Sequence, residues 1–159
     1  MKIIFTLALS VFVGLFCQSA YGQSQADTVL KAAKAIETND QSQDANAAKQ
    51  AALKWLIETE DVRLVVCGGT FSLFSDKKNK NSSTMTLGYT VGMGAFKIAN
   101  PDKANDEPAA QLAGLELALK AYENAVAEKP KTRNNAIDEL IKKRQAGELA
   151  ALVNGLNCK

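Results

Sequence analysis

Met85-Thr86-Leu87-Gly88-Tyr89-Thr90-Val91-Gly92-Met93-Gly94-Ala95-Phe96 supports two incompatible readings. As a strand, Met85, Leu87, Tyr89, Val91 and Met93 alternate with Thr86, Gly88, Thr90, Gly92 and Gly94, the period-two pattern of a half-buried sheet. As a helix, Met85, Tyr89, Gly92, Phe96 and Ala99 share one stripe, with Ser83 as the cap. Gly does not arbitrate, because it is poor in both structures. The stripe runs on past the alternation, and the flanking segments read as helices. A lone hairpin is marginal unless it packs on something. The helical reading is therefore adopted, and the preceding apolar segment, Val62 to Phe74, is paired with it as a second helix through Val62, Val65, Val66, Gly69 and Leu73. The alternative is an α+β fold with a small hairpin at about 62–96. The link between the two segments, Asp76-Lys77-Lys78-Asn79-Lys80-Asn81-Ser82-Ser83, reads as a solvated basic turn.

Working outward, Asp27-Thr28 caps a first helix to about Thr38, with Val29, Leu30, Ala33 and Ile36 on its stripe. A second runs from about Asp44 to Thr59 with Ala48, Ala51, Ala52, Trp55 and Leu56 on one face. Downstream, Asp106 is an N-cap, with Glu107 and Pro108 in the first turn. Leu112, Leu115, Leu119, Tyr122 and Val126 form the stripe of a helix to Glu128. Thr132 is expected to cap the next helix, whose last turn holds Lys142, Lys143 and Arg144 and which Gly147 stops. Glu148 to Leu156 closes the series. The expectation is an all-α single domain of five to six helices, with Tyr89, Trp55 and the Leu112 stripe in one core.

The N-terminus reads as an export signal. Lys2 supplies its charge, Ile3 to Cys17 its apolar core, and Ala20-Tyr21-Gly22 a small-residue site with cleavage after Gly22. The expected division is a signal peptide at 1–22 and an exported domain at 23–159, periplasmic or secreted. Cleavage removes one of the three cysteines and leaves Cys67 and Cys158, which in an oxidising compartment are expected to form one disulfide. The apolar run is short for a bilayer span, so no membrane association is expected once the signal is gone.

Composition excludes several chemistries. The 159 residues contain no His, 19 Lys+Arg and 17 Asp+Glu. A Ser-His-Asp triad, a Cys-His pair and His-ligated metals are thus ruled out. The charges nearly balance, aromatics are sparse and not interleaved with basic residues, and no nucleic-acid surface is expected. Gly88, Gly92 and Gly94 match no phosphate-binding pattern and are read as a close contact between two helix backbones. Gly68-Gly69 is read as room beside the Cys67 disulfide. Cys67 has neither a base nor a second nearby Cys for a redox or nucleophilic role. The carboxylates Glu58, Glu60 and Asp61 cluster at a helix end, where capping and dipole effects account for them. No cofactor, metal or catalytic residue is expected.

The order of these features (signal, short helices, Cys67 ahead of Phe71 and Leu73, late Cys158) is similar in architecture to small periplasmic proteins of Gram-negative bacteria. Immunity proteins that neutralise secreted cell-wall enzymes are among them. The resemblance covers architecture alone; the export signal, the helical build and the missing catalytic residue types lead to the expectation of a non-catalytic protein that binds an as yet unidentified protein partner, in its sharpest form an immunity-type inhibitor of a secreted effector. Two alternatives are a His-independent carbohydrate-active enzyme with converging carboxylates and an envelope-associated helical protein.

Overall fold

The structure, a computed structural model, describes the backbone of residues 16–156 and the side chains from Ser24 onward. The described residues form seven α-helices and no strand: α1 (Phe16–Glu37), α2 (Gln43–Glu58), α3 (Gly68–Ser72), α4 (Ser82–Ala99), α5 (Glu107–Glu128), α6 (Asn135–Gln145) and α7 (Leu149–Gly155). Two 3-10 turns, Pro101–Lys103 and Pro130–Thr132, precede α5 and α6. The all-α expectation holds, with one or two helices more than expected.

The quoted stretch is helical, and its glycines explain why the period-two pattern is misleading. Met85, Gly88, Tyr89, Val91, Gly92, Met93, Gly94 and Lys97 are all buried, so α4 is enclosed on nearly every side. A helix enclosed this way loses the one-sided stripe that normally identifies it, and an alternation of large and glycine residues remains visible. Gly88 and Gly92 face α5 without Cβ atoms. A Cβ on Gly88 would lie 2.9 Å from Leu117 O and 3.0 Å from Ala118 Cα; one on Gly92 would lie 2.8 Å from Ala113 O and 2.9 Å from Gly114 Cα. Gly114 returns the contact, its missing Cβ lying 2.8 Å from Tyr89 O. The two backbones therefore touch, running antiparallel. Gly94 serves another neighbour: the Leu56 side chain of α2 fills its place.

The other half of the expected helix pair is mostly not helical. Residues 63–67 have no regular structure, and only Gly68–Ser72 forms a short helix. The run Val62 to Phe74 was apolar because it crosses the surface of α4 and α5, not because it winds. Cys67 takes the N-cap position of α3, its Sγ accepting from Thr70 N at 3.5 Å. The turn after it is also less solvated than expected. Lys77, Lys78 and Lys80 are exposed, but Asn79 and Asn81 are buried. Asn79 Nδ2 donates to Phe74 O at 2.8 Å, Asn79 Oδ1 accepts from Asn81 N at 3.0 Å, and Asn81 Nδ2 reaches Thr132 O at 2.9 Å. Amides that compete with the backbone make such turns stable while buried.

Helix ends follow local chemistry. Asp106 Oδ1 caps α5 through Ala109 N at 3.1 Å, as expected. Asn134, not Thr132, caps α6 through Ala136 N at 2.9 Å; the Thr132 hydroxyl instead donates to Lys129 O. Gly147 at φ 74° terminates α6 in the left-handed region, as expected, and Asn39 at φ 54° does the same for α1. The helix α1 begins at Phe16 and not at Asp27, crossing the expected cleavage position without interruption. Most of the expected signal, residues 1–15, lies outside the described residues.

The core is divided by the α4–α5 pair. On one side Phe74, Met85, Tyr89, Met93, Leu115, Leu119, Tyr122 and Val126 pack with Ile137 and Leu140 of α6 and with Leu149 and Val153 of α7. On the other, Val29, Ala32 and Ile36 of α1 meet Ala52 and Leu56 of α2, Val91, Leu117 and Ala121. Trp55, half-buried, borders this second cluster, whereas Tyr89 and the Leu112 stripe belong to the first. The single shared core is thus corrected to two, because α4 and α5 present apolar side chains on opposite faces.

Candidate functional site: a charged cleft beside the α4–α5 turn

Because α4 and α5 are antiparallel, the C-terminal turn of one and the N-terminal turn of the other lie together. Lys97 ends the first and Glu107 opens the second, each with the charge its helix end favours. Their ion pair is short, Nζ to Oε1 2.6 Å, with the Lys97 side chain 6 % and the Glu107 side chain 25 % exposed. The irregular segment after α2 passes alongside. Glu60, Asp61, Arg63 and Val65 from that segment, with Lys97, Asn105 and Glu107, line a cleft of about 450 Å³.

A polar cluster behind the cleft fixes this segment. The fully buried Gln111 of α5 accepts a hydrogen bond from the Tyr89 hydroxyl and donates from Nε2 to Val65 O. The Tyr89 ring packs edge-on to Phe74, centroids 5.3 Å apart. Burial pushes the Tyr89 hydroxyl up to about 12, against hydrogen bonds with the Cys67 backbone and the Thr70 side chain that act downward. One residue therefore joins α4, α5, the 59–67 segment and α3.

Of the carboxylates singled out in the sequence, Glu60 and Asp61 line the cleft; Glu58 is exposed at the end of α2 and does not. Lys97, Glu107 in its pairing role, and Gln111 were not foreseen as partners. Lys97 and Glu107 are ten residues apart, Gln111 and Val65 forty-six, and no periodic rule joins such positions. Asp106-Glu107-Pro108 was legible only as a helix start. The second basic group is paired within the fold, two of its members locally and Arg144 with α5. Lys142 pairs with Glu139 at 2.7 Å, Lys143 with Glu148 at 3.4 Å, and Arg144 with Glu123 at 2.6 Å.

Cys67 is buried beside Gly69, and Cys158 lies outside the described residues. Among the described residues no group of three His, Cys, Asp or Glu could hold a metal, and no helix is long and apolar enough to cross a membrane. Comparison with protein-family models, with curated proteins and with solved structures returned no match.

Proposed function

We propose that the chain is an exported helical protein that acts by binding a protein partner rather than by catalysis, with the charged cleft at the centre of its contact surface. The observation that carries this reading is the pair of large apolar side chains at the borders of the cleft-lining segment. Ile57 is 72 % exposed at the end of α2 and Val66 is 55 % exposed just before Cys67. Apolar groups next to a mixed-charge surface are the composition of a recognition patch. An inhibitor of the immunity type, acting on a secreted effector, is the sharpest form of the proposal.

Export rests on Lys2, the apolar run Ile3 to Cys17 and the small residues before the cleavage position after Gly22. The Cys67–Cys158 disulfide belongs to the same proposal. Its support is the path of the chain end: a Cβ on Gly69 would lie 3.2 Å from Leu156 Cβ and 3.6 Å from Cys67 Sγ. Cys158 stands two positions after Leu156 in the sequence, and two residues of chain span at most about 7 Å.

The test uses the mature chain, residues 23–159, as an affinity bait in a periplasmic extract, beside the double variant Ile57→Asp/Val66→Asp. A partner retained at fixed stoichiometry by the first and lost by the second is expected; equal retention by both, or none by either, overturns the reading. In the same preparation, alkylation before reduction should label no cysteine and after reduction two. Two labelled thiols without reductant would remove the disulfide.

A second reading draws on Glu60, Asp61 and Glu107 sharing one cleft, as a carbohydrate-active site needs carboxylates that converge. Lys97 already occupies one oxygen of Glu107, which favours binding over acid catalysis. Release of reducing sugar from cell-wall glycan by the wild type and not by Glu60→Gln would reverse that preference.

A further inference from the structure

The hydrogen bond from Asn81 Nδ2 to Thr132 O, 2.9 Å long, joins two turns that lie 51 residues apart in the chain. Both stand at the same end of the antiparallel pair, 76–83 leading into α4 and 129–133 following α5. Together they carry Lys77, Lys78, Lys80, Lys129, Lys131 and Arg133 against one acid, Asp76. Asp76 Oδ1 already accepts from Lys78 N at 2.7 Å, and Arg133 faces Asp138 at 3.5 Å. The five lysines are exposed, and among the described residues none of them takes part in an ion pair. With Glu128 and Asp138 at the margin, six bases still meet three acids. Outside the two turns the chain holds thirteen bases and sixteen acids, so its positive excess comes from them.

The other end of the pair, the 100–107 turn with the cleft beside it, holds more acids than bases. The 18 residues of α4 set the two ends about 27 Å apart. That is several screening lengths at physiological salt, so each end presents its own field. The residue types at the basic end define what it meets. Lysine is a mobile, strongly hydrated point charge. Protein contacts are depleted in it and centre on a desolvated apolar or aromatic anchor. None of the exposed large apolar side chains, Leu30, Ile57 and Val66, stands in either turn. Phe74 and Tyr122 beside them are buried, which leaves no surface for stacking bases. Lysines on a backbone held by buried asparagines, with no apolar anchor, suit a plane of diffuse negative charge such as the headgroups of an anionic bilayer. Adsorption of this kind needs no membrane-crossing helix.

We propose that the two turns form an electrostatic docking face for an anionic lipid bilayer, with the cleft end of the α4–α5 pair pointing away from the lipid. The docking face is independent of the protein-binding reading and leaves that surface free.

The experiment is co-sedimentation of the mature chain, residues 23–159, with vesicles of equal parts phosphatidylglycerol and phosphatidylcholine, and with vesicles of phosphatidylcholine alone. Binding to the first only is expected at about 0.1 M salt, and its loss at about 1 M, where the screening length falls to about 3 Å. Each lysine near the surface should contribute about fivefold. Lys77→Gln/Lys78→Gln/Lys80→Gln should therefore weaken binding about a hundredfold, and Lys129→Gln/Lys131→Gln about twentyfold. Lys31→Gln/Lys54→Gln/Lys103→Gln removes the same charge as the triple from exposed positions elsewhere and should change binding by less than about threefold. A paramagnetic label carried by the lipid should broaden the amides of 76–83 and 129–133 and spare those of 102–107. No binding, equal binding to phosphatidylcholine alone, persistence at high salt, an equal loss in the control triple, or broadening at 102–107 overturns the proposal. Tighter binding to polyglutamate or to random-sequence duplex DNA, at equal concentration of negative charge, overturns the assignment to lipid.

Discussion

Gly92→Ala is expected to destabilise the protein by about 2–4 kcal/mol, although alanine is the better helix former by about 1 kcal/mol. The added methyl would lie 2.8 Å from Ala113 O and 2.9 Å from Gly114 Cα. Both are backbone atoms in the middle of α5, so no side-chain rotation relieves the contact. The helices must separate, and separation loosens both cores, because α4 and α5 stand between them. Gly92→Val should prevent folding. Gly155→Ala is the matched control: nothing lies within 4 Å of its added Cβ. There the same substitution should raise stability by up to about 1 kcal/mol through propensity and the unfolded chain. Urea unfolding of the three variants reads both signs. A Gly92→Ala protein as stable as the wild type would show that backbone contact does not hold the α4–α5 pair.

Gln111→Leu should cost about 2–4 kcal/mol, even though it places an apolar side chain in an apolar interior. Gln111 is fully buried and serves the Tyr89 hydroxyl and Val65 O at once. Leucine removes a donor from a carbonyl and an acceptor from a hydroxyl, and each loss carries a desolvation penalty of about 1–3 kcal/mol. The loss should be local as well as global, with amide exchange in residues 63–67 accelerating, since Val65 O is the anchor of that segment. In a double-mutant cycle with Tyr89→Phe the combined cost should be less than the sum, because the two side chains form one network. The pH dependence gives a further signature. The Tyr89 hydroxyl ionises at about 12 in the folded protein and near its ordinary 10.0 when unfolded. The unfolded chain therefore releases the proton first, and stability falls as pH rises from about 10 to about 12. Tyr89→Phe should flatten that slope. An unchanged alkaline slope in Tyr89→Phe, or additive costs in the cycle, would count against the network.

Much of the helical framework was legible because its causes are local. Asp106 and Pro108 start α5, Gly147 ends α6, and the Leu112–Val126 stripe needs no partner to be recognised. The glycines of α4 were legible as a contact face, since small residues at helical spacing have few other uses. The 62–74 segment was misjudged because its apolar residues respond to what covers them. Val65 and Leu64 lie in an irregular segment against α4 and α5, and a buried segment without one-sided periodicity cannot be told from a helix by pattern alone. The cleft was half legible. Glu60 and Asp61 stood out as a cluster, but Lys97, Glu107 and Gln111 acquire their roles from neighbours distant in the chain.

What sequence by itself determined is the class of fold, the position of most helix ends and the chemistries excluded by the absence of histidine. All follow from propensity, capping and composition, which act within a few residues. Only the tertiary structure decided that α4 divides two cores, that Cys67 caps a short helix, and that Lys97 pairs with Glu107. Each of these depends on which surfaces meet once the backbones of α4 and α5 close over Gly88, Gly92 and Gly114, a distance no local rule encodes.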